Sequence, residues 1–264
     1  MSWILLRGLT REARHWGTFT ARLSQQCGTE KVIALDLPGS GEFFLHTSPV
    51  EMHSVVEFLR LQLHAKDLPP PHKLLAMSLG GMVATSWAQR HPQEITQLVL
   101  INSSMRPFSH ALQRLRPTRW LQVALLAARW NDADYAEHMV HRLTCHQVHT
   151  RDIDVAQWRH IRQTAPVTAT NAARQLLAAA RFKCAPEKPA CGVLVLSSDA
   201  DRLVHPQCSV QLAGAWRARH HQHTWAGHDL PHDDPTWICQ KIADWQSDDA
   251  TLVQSVQTNK LLFQ

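Results

Sequence analysis

Short apolar runs alternate along this chain with longer segments that carry apolar residues at helical spacing. We predict strands at residues 3–6, 32–36, 74–77, 97–101, 193–197 and 221–225, and helices at 11–26, at 50–66 and directly after residue 78. Within 50–66, Met52, Val55, Val56, Leu59 and Leu63 recur as one buried stripe. Strands that alternate with helices indicate a doubly wound, mostly parallel sheet of about six strands, with a site at their carboxyl ends.

The sheet pattern stops after residue 102 and resumes near residue 192, and the intervening segment is helical and basic. We predict helices at 120–130, 133–144 and 172–182. Residues 103–183 contain twelve Arg and Lys and five Asp and Glu, a net charge of +7. The rest of the chain has fifteen Arg and Lys and seventeen Asp and Glu, a net charge of −2. Arg114, Arg116 and Arg119 are spaced to share a face. Such a surface either steers an acidic partner or is a solvated helical face, and both interpretations stay open.

A serine lies where the third predicted strand turns into a helix. The segment Ala76-Met77-Ser78-Leu79-Gly80 places small residues two positions to either side of Ser78, which lets strand and helix pass closely. A serine on so sharp a turn holds its hydroxyl clear of the sheet, as a nucleophile requires. Because the motif is short, an ordinary strand–helix junction is the alternative interpretation.

Two later segments supply the base and the acid that an activated serine needs. Asp201 follows the strand at 193–197, and His228 lies on a small-residue turn after the last predicted strand. We predict that His228 takes the proton of Ser78 and that Asp201 orients His228. Asp199 is the rival for the acid.

These motifs, in this order, resemble the α/β-hydrolase superfamily over residues 3–244. The order serine, acid, histidine is the one used in that fold. The chain looks most like small bacterial carboxylesterases of the pimeloyl-acyl-carrier-protein methyl ester esterase type, whose Trp-Ser-Leu-Gly-Gly elbow parallels residues 77–81. The resemblance implies an α/β-hydrolase fold without the family's first two strands, a helical cap inserted after the family's sixth strand, and no cofactor. It favours Asp201 over Asp199, because residues 202–204 match those of relatives.

The resemblance also implies an oxyanion hole made of two backbone N–H groups. By position, these belong to Leu9, after the first strand, and to Leu79, next to the serine. Relatives usually have His-Gly where this chain has Arg7 and Gly8. The side chain of Arg7 is expected either to bind an anionic group of the substrate or to brace the loop through a salt bridge.

Composition limits the remaining possibilities. With 264 residues, 44% of them hydrophobic, the chain can bury a large core. We see neither a signal peptide nor a membrane span and expect a cytoplasmic protein. The six cysteines have no metal-like spacing, and no nucleic-acid-binding module is recognised. His228 and His232 have the spacing of two ligands on one helical turn, but Gly227 and Pro231 bracket the pair, so we predict neither a helix nor a metal site there.

We therefore predict a serine hydrolase that cleaves a carboxylic ester through an acyl-enzyme. Residues 1–102 and 184–246 are expected to form the core, 103–183 the cap and 247–264 a polar tail, which is a last helix, a dimer contact or a mobile end. Acyl carrier protein or another acidic partner is expected at the cap. Thioester, amide or C–C cleavage uses nearly the same residues and stays open. A second alternative that stays open is a protein that binds a ligand or partner and catalyses no reaction.

Overall fold

The computed structural model describes residues 1–28 and 30–261 and, within them, all side chains except those of residues 27 and 249–261. Its sheet consists of β1 (Ser2–Leu6), β2 (Lys31–Leu35), β3 (His72–Met77), β4 (Ile95–Ile101), β5 (Gly192–Ser198) and β6 (Arg219–His223). The strand order is β2-β1-β3-β4-β5-β6, and every neighbouring pair is parallel. The predicted doubly wound parallel sheet is confirmed.

The helices cover both faces of the sheet and form the insertion between β4 and β5. They are α1 (Phe19–Cys27), α2 (Met52–Ala65), α3 (Leu79–Arg90), α4 (Ala111–Arg114), α5 (Trp120–Ala128), α6 (Ala133–Thr144), α7 (Arg151–Thr164), α8 (Ala169–Arg181), α9 (Gln207–Trp216), α10 (Leu230–Asp233) and α11 (Pro235–Leu261). Five of them, α4 to α8, belong to the segment predicted as the cap, which is called the cap below.

Two hydrophobic cores form because alternate side chains of each strand point to opposite faces. In β1, Ile4 packs into the core beneath α2, α3 and α9, while Leu5 packs into the one beneath α1 and α11. All of β1 from Trp3 onward is buried. Burial on both faces explains why the strands are continuous apolar runs.

Several local predictions differ from the structure. The helix predicted at 11–26 is broken, because Gly17, with φ of 52°, ends a 3-10 turn before α1 begins. The last strand ends at His223 rather than at residue 225, because His223 pairs with Ser198, the last residue of β5. The helix α7 was not predicted, since few apolar residues mark its buried face.

The C-terminal third of the chain bears on two further expectations. Residues 230–233 form one helical turn, where we predicted none; Pro231 lies in its first two positions, where the missing N–H removes no helical hydrogen bond. In the predicted tail, residues 247–261 belong to α11, which continues to Leu261, so this part is the last helix that was one of the three alternatives. Residues 262–264 of the predicted tail lie outside the described residues. No helix in the described ranges is both long enough and apolar enough to cross a membrane.

Candidate active site

Ser78 sits on a strained turn between β3 and α3. Its backbone has φ of 53° and ψ of −119°, a region that a residue with a side chain rarely occupies and that costs about 1–3 kcal/mol. Its N–H donates to the carbonyl of Ile101 at the end of β4, 3.0 Å away. Neighbouring strands therefore hold the turn, and the hydroxyl projects from it into a cavity that Ser78 lines.

Close packing around this turn explains its small residues. A Cβ atom on Gly80 would lie 2.5 Å from the carbonyl oxygen of Leu6 and 2.6 Å from that of Arg7, so only glycine fits. A Cβ atom on Gly8 would lie 3.2 Å from the Cβ of Ser78. The loop after β1 therefore runs directly beside the serine.

The two amides predicted for the oxyanion hole lie on the segments that meet here. The N–H of Leu79 belongs to the first turn of α3, so it has no acceptor within its helix. The N–H of Leu9 donates to no group among the described residues. The next residue, Thr10, donates its N–H to Oε1 of Gln175 in α8 at 2.9 Å, which anchors this loop to the cap.

The structure brings His228 and Asp201 into direct contact. Nδ1 of His228 lies 2.6 Å from Oδ2 of Asp201, and both side chains are buried. The other carboxylate oxygen, Oδ1, accepts the N–H groups of Leu203 and Val204 at 2.8 and 2.9 Å. Asp201 is thus fixed by the backbone that follows it, and it leaves Nε2 of His228 as the ring nitrogen available to a substrate or to Ser78.

Ser78 and His228 line the same cavity, but the hydroxyl of Ser78 forms no hydrogen bond with any residue in the described ranges. Asp199, the rival acid, is exposed and accepts a hydrogen bond from the side chain of Gln222 on β6. It has no contact with His228. The structure therefore pairs His228 with Asp201 and turns Asp199 to the edge of the sheet.

The protonation of His228 is set by opposing effects. Burial lowers its pKa, but the charge and hydrogen bond of Asp201 and the charge of Asp229 outweigh burial, so the pKa lies above the ordinary value of 6.5. Arg7 acts in the opposite direction. The imidazole is consequently a stronger base than a free histidine.

Arg7 forms a buried salt bridge, which is one of the two expectations for it. Its Nη1 and Nη2 atoms donate to Oδ1 and Oδ2 of Asp229 at 3.0 and 2.5 Å. Its guanidinium also lies over the ring of Trp16, 4.9 Å from the centroid. Burial raises the pKa of Asp229, but Arg7 outweighs it and holds the pKa below the ordinary value. The expected contact of Arg7 with substrate stays a prediction.

Two residues that the sequence did not single out hold the loop of His228. Asn102, at the end of β4, donates its Nδ2 to the carbonyl of His228 at 2.8 Å, and its Oδ1 accepts the N–H of Ser198 at 2.9 Å. Asp233 accepts the N–H of Gly227 at 2.7 Å and that of His146 in the cap at 3.0 Å. The position of Asn102 at a strand's carboxyl end was the only available signal.

A cavity of about 290 Å³ lies over Ser78 and beneath the cap. Its walls are mainly apolar side chains of the cap, including Val123 and Leu126 of α5, Leu143 of α6 and Leu176 of α8. This volume is at the small end of small-molecule pockets, which span about 300–1,000 Å³. The site can therefore take an apolar group of modest size next to the serine.

Glu137 joins the cap to the loop after β1. Its Oε2 accepts a hydrogen bond from Nη1 of Arg11 at 2.6 Å, and its Oε1 accepts one from Nη1 of Arg162 at 3.0 Å. Arg11 also lies over the ring of Trp158, 4.8 Å from the centroid. The carboxylate is nearly fully buried, so it serves as a fixed brace between two arginines.

Comparisons with known proteins agree with this architecture. A family model described as alpha/beta hydrolase fold matches residues 6–235. The chain is 30% identical over 125 residues to the biotin biosynthesis bifunctional protein BioHC of Teredinibacter turnerae, covering 42% of this chain and 21% of that protein. It is 35% identical over 97 residues to the pimeloyl-[acyl-carrier protein] methyl ester esterase of Chromobacterium violaceum, covering 35% of this chain and 34% of that protein. The alignments thus span about a fifth and about a third of these curated relatives.

The enol-lactonase of Burkholderia xenovorans has a similar structure, with a TM-score of 0.74 and 18% identity, covering 93% of this chain and 91% of that one. This likeness concerns the fold. The family model, by contrast, covers most of the chain and includes the turn of Ser78, Asp201 and His228. The resemblance noted in the sequence is thereby confirmed, and the chain belongs to the alpha/beta hydrolase fold family.

Proposed function

We propose that the protein is a serine hydrolase that cleaves a carboxylic ester through an acyl-enzyme intermediate. The observation that carries the proposal is the 2.6 Å contact between Asp201 and His228, on a histidine that lines the same cavity as Ser78. The esterase named among the relatives supports the reaction class. Acyl transfer requires a nucleophile, a base and an acid in this relationship.

In the proposed reaction, Oγ of Ser78 attacks the ester carbonyl carbon while Nε2 of His228 takes the hydroxyl proton. The N–H groups of Leu9 and Leu79 stabilise the oxyanion, about 3–4 kcal/mol for each donor. The C–O bond to the alcohol then breaks, and His228 gives its proton to the leaving oxygen. Water, activated by the same imidazole, hydrolyses the acyl-enzyme and restores the serine. The Ser78–His228 hydrogen bond forms when substrate is bound.

A fluorophosphonate probe tests this proposal, because it forms a covalent bond only with an activated serine. We expect the purified wild type to be labelled in proportion to its concentration, and the Ser78→Ala variant to remain unlabelled. Ser86→Ala is a matched control, since Ser86 lies in α3 away from the cavity and should leave labelling intact. A folded wild type that resists the probe would favour a binding protein without turnover.

The substrate is proposed to carry a small apolar group at the ester bond and an acidic carrier on its acyl part. The net charge of +7 in residues 103–183 and the carrier in the relative's name support this. The three arginines singled out in the sequence are half-buried and donate to backbone carbonyls. These bonds join Arg114 to Ala179 at 2.6 Å, Arg116 to Asp201 at 2.8 Å and Arg119 to Arg202 at 3.3 Å. Charge reversal there would disturb the cap itself, so salt is the better probe.

We expect kcat/KM for a carrier-linked ester to fall at least about tenfold between low and high salt, because screening removes long-range attraction. An ester of the same alcohol with a neutral acyl group that has no carrier is the matched control, and its kcat/KM should change less than about twofold. Parallel initial-rate measurements of both esters give the comparison. Equal salt dependence of the two substrates would contradict a role for the carrier.

A further inference from the structure

A second cluster of polar side chains lies beside the loop that carries His228. It consists of His141 in α6, Cys145 at the end of that helix, and His232 in α10. Each residue offers one ligand atom, and the three atoms lie within 4.8 Å of one another. His141 and Cys145 are buried. None of the three takes part in the proposed ester hydrolysis, so the cluster needs an explanation of its own.

Asp154, on α7, fixes the rings of both histidines. Its Oδ2 accepts a hydrogen bond from Nε2 of His141 at 3.2 Å and another from Nε2 of His232 at 2.9 Å. Because a carboxylate only accepts, the proton on each of these bonds belongs to the imidazole. A carboxylate that holds the N–H of an imidazole in this way is the usual support behind a metal-ligating histidine.

The second nitrogen of His141 is left without a partner. When Nε2 of a neutral ring carries the proton, Nδ1 is a bare acceptor. Among the described residues, no donor reaches this buried Nδ1 atom. A buried acceptor without a donor is costly, and a cation bound to its lone pair would remove that cost.

The donor set matches one class of cation. Two imidazoles and one thiolate are ligands that Zn²⁺ prefers over harder cations. With Zn–N bonds of about 2.0–2.1 Å and a Zn–S bond of about 2.3 Å, neighbouring ligand atoms lie roughly 3.3–3.6 Å apart. The three ligand atoms, which now lie within 4.8 Å of one another, must therefore approach by roughly 1 Å when the ion binds. Metal binding releases two protons to solvent, one from the thiol of Cys145 and one from Nδ1 of His232, which lies 3.4 Å from Oδ1 of Asp233.

We propose that His141, Cys145 and His232 bind one Zn²⁺ ion, or a divalent cation of the same class, with Asp154 holding both imidazole rings. The site goes beyond the proposed ester hydrolysis and does not depend on it, because the ion is not a reactant there. Its ligands come from the cap and from α10, in which His232 lies four residues after His228. A bound ion ties the cap to that loop.

Metal binding by the full chain tests the proposal directly. After chelator treatment, the wild type is expected to bind one equivalent of Zn²⁺ and to unfold at a higher temperature with the ion than without it. Co²⁺ in the same site should give the absorption of a tetrahedral centre with a thiolate ligand. Asp154→Asn keeps the shape of the side chain and should weaken Zn²⁺ binding about 10–100-fold, and Cys145→Ser should weaken it further.

Matched variants separate this site from metal binding elsewhere on the chain, which contains 18 histidines and six cysteines in all. Cys191→Ser alters a buried thiol outside the cluster and should bind Zn²⁺ and Co²⁺ as the wild type does. The thiolate band of Co²⁺ should vanish in Cys145→Ser and persist in Cys191→Ser. The proposal is overturned if the folded wild type binds no Zn²⁺. It also fails if Asp154→Asn and Cys145→Ser bind as tightly as Cys191→Ser.

Discussion

We expect Asp201→Ala to lower kcat/KM for ester hydrolysis roughly 10⁴-fold, and Asp199→Ala to lower it less than about threefold. The two aspartates lie two positions apart on the same loop after β5, so they form a matched pair. Their surroundings differ completely. Asp201 is buried against His228, whereas Asp199 is exposed and bonded to Gln222.

The large effect follows from what Asp201 does for the imidazole. Its carboxylate accepts the proton of Nδ1, which leaves Nε2 free to take the proton of Ser78 in the proposed reaction. It also stabilises the positive charge that His228 carries after the transfer, at a place where burial opposes that charge. Alanine removes both effects. Because Asp199 touches neither ring nor cavity, its removal changes only a hydrogen bond at the sheet edge.

Steady-state kinetics with a chromogenic ester gives kcat/KM for both variants, and circular dichroism shows whether each is folded. Asp201→Ala also leaves the N–H groups of Leu203 and Val204 without their acceptor, so a second variant controls for folding. Asp201→Asn keeps an acceptor oxygen and the volume, and it should lose activity to a comparable extent while remaining folded. Similar losses in the Asp199 and Asp201 variants would contradict the assignment of the acid.

The placement of Ser78, Asp201 and His228 could be inferred from the sequence because each follows a strand. Apolar runs mark the strands, and parallel strands direct their carboxyl ends to one edge. Small residues around Ser78 added an independent signal, since the structure leaves no space for a Cβ atom on Gly80. Local patterns were thus enough to predict the residues that lie at the ends of strands.

Local sequence patterns could not predict which groups Arg7 and Asn102 contact. Arg7 and Asp229 are 222 positions apart, and no periodicity connects them. Asn102 holds the carbonyl of His228 only because β4 and β5 are neighbours in the sheet, an order that the sequence does not state. Contacts of this kind depend on the assembled fold.

Errors in the secondary structure have similar physical causes. The break at Gly17 depends on a positive φ, which glycine permits but does not require. In α7, only Val155, Trp158 and Ile161 are buried, and the rest of the helix is polar, so its periodicity was weak. The last strand carries histidines on an edge of the sheet, where no apolar run defines its limits.

The salt bridge between Arg7 and Asp229 leads to a second large effect. We expect Asp229→Asn to lower the free energy of unfolding by about 3–5 kcal/mol, because it leaves the buried guanidinium of Arg7 without its countercharge. Both side chains are at most 5% exposed, so solvent compensates little. Urea unfolding monitored by tryptophan fluorescence measures the change.

The same substitution should alter the titration of His228. The negative charge of Asp229 raises the pKa of this imidazole, and Arg7 lowers it. Removing Asp229 therefore lowers the pKa of His228. Since only the neutral ring accepts the proton of Ser78, activity rises with pH through this pKa, and the acidic limb of kcat/KM shifts to lower pH in Asp229→Asn.

The double variant Arg7→Met/Asp229→Leu separates the two effects. It replaces the ion pair with apolar side chains, so it should recover most of the lost stability. It still lacks Asp229, whose charge changes the pKa of His228 more than the charge of Arg7 does. The acidic limb of kcat/KM should therefore lie at lower pH than in the wild type, and the shift should be smaller than in Asp229→Asn. A double variant with restored stability and an unshifted limb would show that Asp229 acts only on the fold, and not on the base.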